Sequence, residues 1–309
     1  MRIKDLGEIG LIRRIAANVR SDSSVIKGIG DDTAVIKWTH DKHLLFTCDM
    51  LVEDVHFWFR GAKFLKKATP FQIGWKALGR NISDIAAMGG VPKYALVSIG
   101  LDPDLSVSFA DGIFKGMNAL AKKFKINLVG GDTVRSKRIV VDVSLIGEVE
   151  KDRLVLRSGA KVGDAIFVTG FLGGSIKAKH LDFMPRLNEA QALVKNFKIS
   201  SMIDISDGLI LDLSRVLDAS SVGALIYEDL IPLSRGASSF DSAVTDGEDF
   251  ELLFTMSHRE AERLIKNNVS QFDVPVSLIG EITRKQRGYR LMGRDWKEKK
   301  VRWKGYTHF

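Results

Sequence analysis

Short clusters in which aspartate stands beside glycine, serine or threonine recur along the chain. They are Gly30-Asp31-Asp32, Thr47-Cys48-Asp49, Ser83-Asp84, Gly130-Gly131-Asp132-Thr133, Asp204-Ile205-Ser206-Asp207-Gly208 and Gly247-Glu248-Asp249. Each cluster alone is typical of a turn or a helix N-cap. If several of these carboxylates converge, their mutual repulsion requires cations, and carboxylates suit Mg²⁺, which also binds water and substrate phosphates. The clusters therefore predict a divalent-metal site that handles phosphate groups.

Asp49 and Asp84 stand in surroundings that do not suit an ordinary turn. Asp49 belongs to the apolar stretch 44–51, where burial of an unpaired carboxylate is costly. Asp84 lies inside a predicted helix, away from both caps, where aspartate has poor intrinsic propensity. These two residues are therefore the strongest candidates for metal ligation.

Motifs of other phosphate-handling and nucleophilic sites are missing from the sequence. No Gly-Lys dipeptide occurs, which excludes a P-loop, and no His-Arg-Asp or Asp-Phe-Gly tripeptide marks a protein kinase. Gly28-Ile29-Gly30 lacks the third glycine of a dinucleotide-binding fingerprint. The single cysteine, Cys48, has no neighbouring base in the sequence, and we expect it to be a small buried hydrophobic residue.

The composition allows two packed domains and indicates no membrane segment. The 309 residues are 45% hydrophobic, and the longest apolar run, 94–101, is too short to cross a bilayer. No secretory signal is visible, and a single cysteine fits a reducing compartment, so we expect a cytoplasmic protein. The net charge of +8 leaves a nucleic-acid-binding protein as an alternative, but the basic residues are dispersed, so no nucleic-acid partner is expected.

The elements that must position the clusters mix helices and strands in both halves of the chain. In the first half, the patterns predict helices at 6–19, 70–88 and 106–123, and strands at 33–38, 44–50, 94–101, 126–129 and 139–148. In the second half, they predict strands at 165–169, 224–227, 252–256 and 276–281, helices at 189–196, 209–219 and 259–267, and terminal strands within 284–304. These mixed elements indicate an α/β fold with α+β-type layers.

Two features of this pattern are specific enough to test. The first helix carries an apolar stripe at helical spacing, formed by Leu6, Ile9, Ile12, Ala16 and Val19. The polar, glycine-containing segment 151–163 sets the predicted boundary between domains 1–150 and 151–309.

Taken in order, the clusters resemble the sequences of thiamine-monophosphate kinases over almost the whole chain. The matching stretches are 28–34, 47–57, 81–90, 130–133, 157–161, 204–209, 247–252 and the C-terminal 303–309. The glycine-aspartate motifs are shared with a wider ATP-using superfamily that includes aminoimidazole ribonucleotide synthetase, selenophosphate synthetase and a hydrogenase maturation protein. Val52-Glu53-Asp54-Val55-His56-Phe57 and Gly247-Glu248-Asp249-Phe250-Glu251-Leu252 favour the thiamine family.

The resemblance implies a two-domain fold like that of aminoimidazole ribonucleotide synthetase, with an N-terminal sheet that pairs across a homodimer and a C-terminal α/β domain. It implies ATP-dependent phosphorylation of thiamine monophosphate to thiamine diphosphate, by direct in-line transfer of the γ-phosphoryl group assisted by several Mg²⁺ ions. Another ATP-dependent enzyme of the superfamily is the alternative.

The resemblance also assigns roles to individual residues. The implied metal ligands are Asp32, Thr47, Cys48 through its backbone carbonyl, Asp49, Asp84, Asp132, Asp204 and Asp207. The implied ATP contacts are Gly131, Asp132, Arg157 and Ser206, and the implied substrate contacts are His56, Glu248 and Tyr306. No general acid or base is expected, because the acceptor is already anionic and the metal ligands Asp49, Asp84 and Asp132 assist the transfer. Asp54 and Cys48 depart from the family, in which glycine and threonine are common at these positions.

Overall fold

The computed structural model describes residues 2–60, 67–177, 179–266, 272–302 and 305–308. The first half contains α1 (Ile3–Ala16), β1 (Val25–Lys27), β2 (Ala34–Lys37), β3 (Lys42–Val52), α2 (Pro70–Ala87), β4 (Val91–Leu101), α3 (Val107–Phe124), β5 (Asn127–Arg135) and β6 (Val140–Glu150). The second half contains β7 (Ala165–Thr169), α4 (Leu187–Asn196), β8 (Ile199–Asp204), α5 (Leu209–Ser220), β9 (Gly223–Tyr227), α6 (Phe240–Thr245), β10 (Leu252–Met256), α7 (His258–Lys266), β11 (Val276–Thr283), β12 (Tyr289–Met292) and β13 (Glu298–Lys300). The predicted mixed α/β class is confirmed.

The first sheet is mostly antiparallel and has the strand order β1-β2-β3-β6-β4-β5, with only β4 and β5 parallel. Its strands alternate between a helix-covered face and an open face. In β3, Leu45 and Leu51 are buried, whereas Phe46 and Met50 on the opposite face are exposed. Helix α2 packs on β3 and β6, and α3 packs on α2. The second face of this sheet therefore carries exposed apolar residues that no described helix covers.

The second sheet has the order β13-β12-β9-β11-β7-β10-β8, with only β9 and β12 parallel. Strand β8 lies at one edge and ends at Asp204, while β13 lies at the other edge. A single hydrophobic cluster includes Leu45 and Ile85 from the first half and Phe167 and Phe254 from the second. The two sheets are therefore held together by a shared core, and helix α2 stands between them.

Helix α2 begins where the sequence predicts. The Thr69 hydroxyl accepts a hydrogen bond from the backbone N–H of Gln72 at 3.2 Å, and Pro70 occupies the first helical position. The predicted strands 165–169 and 252–256 also match β7 and β10 at both ends. These elements have strong local signals, so their boundaries could be found without tertiary information.

Three short elements, β1, β8 and α6, were not predicted, and β5 is longer than expected. Strand β5 continues through Gly130-Gly131, which the sequence suggested as a turn. A Cβ atom at Gly131 would overlap the backbone of Val97 on the adjacent strand. The glycine therefore permits close strand approach rather than a turn.

Helix α1 spans Ile3–Ala16 and has no buried residue, although Gly7 interrupts it with a φ of 68°. The apolar stripe identified in the sequence is not buried in the structure: Ile12 and Val19 are exposed, and Leu6, Ile9 and Ala16 are only partly covered. The helix therefore lies on the surface of the described part of the protein. None of the helices among the described residues meets the length and apolarity needed to span a bilayer.

The C-terminal part forms two short strands, β12 and β13, as predicted for the segment 284–304. Val301 is buried directly after β13. The predicted alternation at Trp303 and Lys304 lies outside the described residues.

Glycine at position 74 is required where α2 crosses α3. A Cβ atom at Gly74 would overlap the carbonyl oxygen of Ile113 on α3. We predict that Gly74→Ala lowers the free energy of unfolding by about 1–3 kcal/mol, because the helices must separate to make room. Urea unfolding followed by circular dichroism measures the change. Gly28→Ala is the control, because its Cβ has no close contact; an equal loss in both variants would contradict this explanation.

Candidate active site

Three carboxylates from distant parts of the chain meet between the two sheets. Asp32 lies in the loop before β2, Asp84 in the last turn of α2 and Asp204 at the end of β8. One oxygen atom of each lies within 4.8 Å of the others. The structure thus brings together three of the predicted metal ligands.

Asp84 lies closer to the helix end than the sequence suggested. Helix α2 ends at Ala87, so this aspartate stands in the last turn, where the helix dipole disfavours negative charge. Such a position is costly for an isolated carboxylate. It suits a carboxylate that binds a cation.

Burial raises the pKa of Asp84 well above its usual range, and the nearby charges of Asp49, Asp204 and Asp32 raise it further. Burial, followed by the charge of Asp32, raises the pKa of Asp204 in the same direction. The ionised forms are therefore unfavourable in the protein alone. A bound cation would reverse this effect.

Each of the three carboxylates is oriented by a donor on one of its oxygens. Thr47 Oγ1 donates to Asp84 Oδ2 at 2.6 Å, and Ser83 Oγ donates to Asp204 Oδ2 at 2.6 Å. On Asp32, Oδ1 accepts hydrogen bonds from the Arg157 side chain at 2.6 and 3.2 Å. Asp32 Oδ2 is buried without a hydrogen-bond partner among the described residues. Oriented carboxylates with a buried unpaired oxygen fit a hard divalent cation such as Mg²⁺.

The predicted ligands of β3 divide between the two faces of the sheet. Thr47 faces the carboxylates, and Asp49 lies near Asp84 and 3.4 Å from Arg80 Nη2. The Cys48 side chain is exposed on the opposite face, where its Sγ lies 3.3 Å from Asp142 Oδ1. The expectation of a buried cysteine was therefore wrong, because strand alternation turns it away from the helices. Metal binding through its backbone carbonyl stays a prediction.

Asp132 and Asp207 lie outside the three-carboxylate group formed by the described residues. Asp132 is exposed on the edge strand β5, beside Gly131, and its Oδ1 accepts from Thr133 N at 2.8 Å. Asp207 pairs with Arg215. Their assignment as metal ligands, and that of Gly131 and Asp132 as ATP contacts, stays a prediction.

The loop that contains Ser206 packs against the loop that contains Glu248. The backbone N–H of Glu248 donates to Ser206 O at 2.7 Å, and a Cβ atom at Gly247 would collide with the same carbonyl. Helix α5 starts after Gly208 without a side-chain cap, so the alternative reading of Asp204 and Ser206 as N-caps of α5 is wrong. Asp204 instead ends strand β8, directly before this loop, and belongs to the carboxylate group.

Asp54, the first departure from the family, has a φ of 64° in the turn after β3. Aspartate is among the non-glycine residues that tolerate this left-handed conformation. Its carboxylate lies 3.7 Å from Arg138 Nε. The extra charge is therefore paired near the surface.

A second polar cluster connects α2 with the Glu248 loop. The fully buried Lys76 Nζ donates to His56 O at 2.6 Å, contacts His180 Nδ1 at 2.7 Å and pairs with Glu248. Burial lowers the pKa of Lys76 to about 8, although Glu248 opposes this effect. Burial alone would raise the pKa of Glu248, but Lys76 and His180 hold it below its usual range. Sequence reasoning missed Lys76 and His180; the available signal was a lysine within the largely apolar helix α2, two turns before Asp84 and on the same side of the helix.

The three predicted substrate residues converge near this cluster. The ring of His308 lies 5.3 Å from that of His56 and 5.0 Å from that of Tyr306. Burial, with the charge of Arg80, lowers the pKa of His56 to about 3, so its imidazole is neutral near pH 7. Tyr306 also lines a cavity of about 700 Å³, together with Ile9, Leu211 and Thr245.

Comparison with known proteins places this arrangement in a family. Residues 30–149 match the AIR synthase related protein, N-terminal domain, and residues 163–292 match the corresponding C-terminal domain. A thiamine-monophosphate kinase from Bacillus subtilis is 35% identical, with 98% of this chain and 100% of the relative aligned. The chain belongs to the thiamine-monophosphate kinase family.

Further members of the family support the same assignment. A thiamine-monophosphate kinase from Aquifex aeolicus is 36% identical over 82% of this chain and 87% of the relative. A solved structure described as AaThiL complexed with AMPPCP and TMP has a TM-score of 0.84 and 33% identity, covering 100% of this chain and 99% of that one. The family resemblance and the two-domain fold expected from the sequence are confirmed.

The carboxylate group predicts a pH-dependent stability in metal-free protein. Because the folded-state pKa of Asp84 lies above its ordinary value of 3.8, the folded protein loses stability as the pH rises from that value through the folded pKa. We therefore predict that metal-free Asp84→Asn resists urea better than wild type near about pH 8, and that the difference disappears near about pH 4.

Mg²⁺ should make the wild type more resistant to urea than Asp84→Asn, which reverses the order expected without metal. At a concentration about 100 times its Kd, it should stabilise the wild type by roughly 2.7 kcal/mol and the variant by much less. Urea unfolding with and without a chelator measures both effects. Asp111→Asn, on the exposed side of α3, is the matched control. A wild type that is indifferent to Mg²⁺ would contradict the metal-site interpretation.

Proposed function

We propose that this chain transfers the γ-phosphoryl group of ATP to the phosphate of thiamine monophosphate, producing ADP and thiamine diphosphate. Membership of the thiamine-monophosphate kinase family supports the activity, and a solved relative is described as a complex with AMPPCP and TMP. The convergence of Asp32, Asp84 and Asp204 is the structural observation that carries the proposal.

Metal binding is part of this proposal. Asp32, Asp84 and Asp204 would hold Mg²⁺, with Asp49 beside them; Thr47, Cys48, Asp132 and Asp207 are the further predicted ligands. Bound Mg²⁺ would neutralise phosphate charge and orient the phosphate oxygens for in-line displacement. Thr47 and Ser83 hold two of the carboxylates in position, and Arg157 offsets the charge of Asp32.

The reaction needs no general base from the protein. A phosphate oxygen of thiamine monophosphate is already anionic; it forms a bond to the γ-phosphorus of ATP while the bond to the ADP oxygen breaks. The residues near the acceptor fit this requirement, because the lowered pKa of His56, about 3, makes its imidazole a weak base, and Lys76 is paired with Glu248. These groups position the acceptor and do not remove a proton.

The acceptor site of the proposal lies at His56, Glu248 and Tyr306. The cavity beside Tyr306 is large enough for a small organic ligand, and the tyrosine ring can face a cationic thiazolium, a contact worth about 0.5–2 kcal/mol. Gly131, Asp132, Arg157 and Ser206 are the proposed ATP contacts. In this proposal residues 1–150 form the ATP- and metal-binding domain and residues 151–309 the second domain; a cytoplasmic location stays a prediction.

We also infer a homodimer that forms through the open face of the first sheet. Phe46, Met50, Leu96 and Val129 are large apolar residues exposed on its strands. A contiguous apolar patch of this kind marks an interaction surface. A second copy offers the matching surface, and its sheet would cover the edge strand that carries Asp132.

The activity is tested by incubating purified protein with thiamine monophosphate, ATP and Mg²⁺ and separating the products by chromatography. We predict that Asp84→Asn and Asp204→Asn lower kcat by about 100- to 1,000-fold, a loss typical of one strong electrostatic contact in the transition state. Asp111→Asn should keep the wild-type rate. Near-normal turnover by both site variants would remove the metal-site mechanism. Turnover of an aminoimidazole ribonucleotide precursor, with none of thiamine monophosphate, would point to the alternative superfamily enzyme.

The dimer is tested by placing a charge on the open sheet face. Leu96 is 49% exposed in the single chain, so Leu96→Asp should leave the monomer folded but shift sedimentation from dimer to monomer. Val162→Asp, at an exposed position of the second half, is the control and should remain dimeric. A wild type that sediments as a monomer at micromolar concentration would contradict the homodimer.

A further inference from the structure

Helix α2 carries three charged residues at four-residue intervals, which places them along one side of the helix. They are Lys76, Arg80 and Asp84. Asp84 belongs to the carboxylate group, and Lys76 contacts the backbone of His56 at the acceptor end. Arg80 therefore lies between the metal site and the acceptor residues.

The cations of the site differ in how many of their donors are already used. Lys76 has three donors and three close partners, which are His56 O, His180 Nδ1 and Glu248. Arg157 donates from two nitrogens to Asp32, with bonds as short as 2.6 Å. Lys76 therefore has no donor left for a ligand. Arg157 keeps three N–H donors, but it is held against Asp32, and the proposed function assigns it to ATP.

Arg80 is different. Its guanidinium group has five N–H donors, yet within the described part of the chain it makes two long hydrogen bonds, from Nη1 to Met50 O at 3.3 Å and from Nη2 to Asp49 Oδ1 at 3.4 Å. Its Nε is buried and has no hydrogen-bond partner among the described residues. The side chain is 15% exposed, so it is held in place but still reachable. A buried, planar guanidinium with unused donors is suited to an anion with several acceptor oxygens, such as a phosphate.

The electrostatic surroundings of Arg80 connect it with both ends of the site. Burial alone would lower its pKa, but the carboxylates of Asp49, Glu248 and Asp84 raise it, so the group is charged. Its charge in turn contributes to the lowered pKa of His56 and opposes the raised pKa of Tyr306. A phosphate lying between the metal site and the Tyr306 cavity would therefore meet this guanidinium.

We propose that Arg80 binds the phosphate of the acceptor and thereby makes the site select thiamine monophosphate over unphosphorylated thiamine. This inference rests on the proposed function. It assigns to Arg80 a specificity role that is separate from the carboxylates, which hold the metal, and from Lys76, which ties α2 to the Glu248 loop.

Ligand binding tests the role directly. Isothermal titration calorimetry with Mg²⁺ present would measure the Kd of thiamine monophosphate and of thiamine for wild type, Arg80→Gln and Arg80→Lys. We expect Arg80→Gln to weaken thiamine monophosphate binding by roughly 10- to 100-fold, the loss of a charge-assisted contact, while thiamine binding changes by less than about twofold. Arg80→Lys, which keeps the charge but not the fork of donors, should lie between wild type and Arg80→Gln.

Steady-state kinetics supplies a second readout that a merely structural role would not move selectively. The KM for thiamine monophosphate should rise in Arg80→Gln while the KM for ATP stays unchanged. Arg287→Gln is the matched control, because Arg287 pairs with Glu298 of β13, at the sheet edge opposite β8. It should behave as wild type in every assay.

Several outcomes would overturn the proposal. Equal weakening of thiamine and thiamine monophosphate, no weakening of either, or a rise in the KM for ATP instead would each contradict an acceptor-phosphate role. If Arg80→Gln does not fold, Arg80→Lys decides, and wild-type affinity in that variant counts against the proposal. A wild type that makes thiamine diphosphate but binds both ligands equally refutes the Arg80 role alone; one that neither binds nor phosphorylates thiamine monophosphate refutes the proposed function as well.

Discussion

Repulsion between buried carboxylates is the constraint on which the arrangement of this protein depends. Asp32, Asp84 and Asp204 are brought within 4.8 Å of one another in a region where burial already disfavours their charge. The fold does not relieve this repulsion by placing a basic side chain among all three. Instead, Thr47, Ser83 and Arg157 orient the carboxylates from outside. Such a group is unfavourable in the protein alone, and a cation bound to it would stabilise the fold.

Helix α2 connects the carboxylate group with the rest of the molecule. Its apolar side packs on the first sheet and joins the shared core, while its polar side carries Lys76, Arg80 and Asp84. The close crossing at Gly74 fixes the position of α2 against α3. The Lys76–Glu248 pair then ties the same helix to a loop of the second half. Small shifts of α2 would therefore disturb the metal and acceptor ends together.

Much of this could be predicted from local signals in the sequence. The N-cap at Thr69 and the strands 165–169 and 252–256 have strong patterns, and the ordered Gly/Ser-Asp motifs identified the family. Strand β8 was missed, because its sequence Ile-Ser-Ser-Met-Ile-Asp lacks clear alternation and its burial comes from neighbouring elements. The apolar pattern of α1 predicted a helix correctly but not its exposure, since periodicity specifies a face and not what covers it.

The sequence by itself determined the class of fold, the family and the kinds of side chain available for chemistry, because these depend on residue types and their order. Only the tertiary structure decided which carboxylates meet, that Cys48 faces away from them, and that Lys76 is saturated whereas Arg80 has donors to spare. Those outcomes depend on contacts between residues far apart in the chain, such as Arg80 with Asp49, 31 positions apart, and Lys76 with Glu248, 172 positions apart. Local propensities carry no information about such contacts, because they arise from the packing of whole elements.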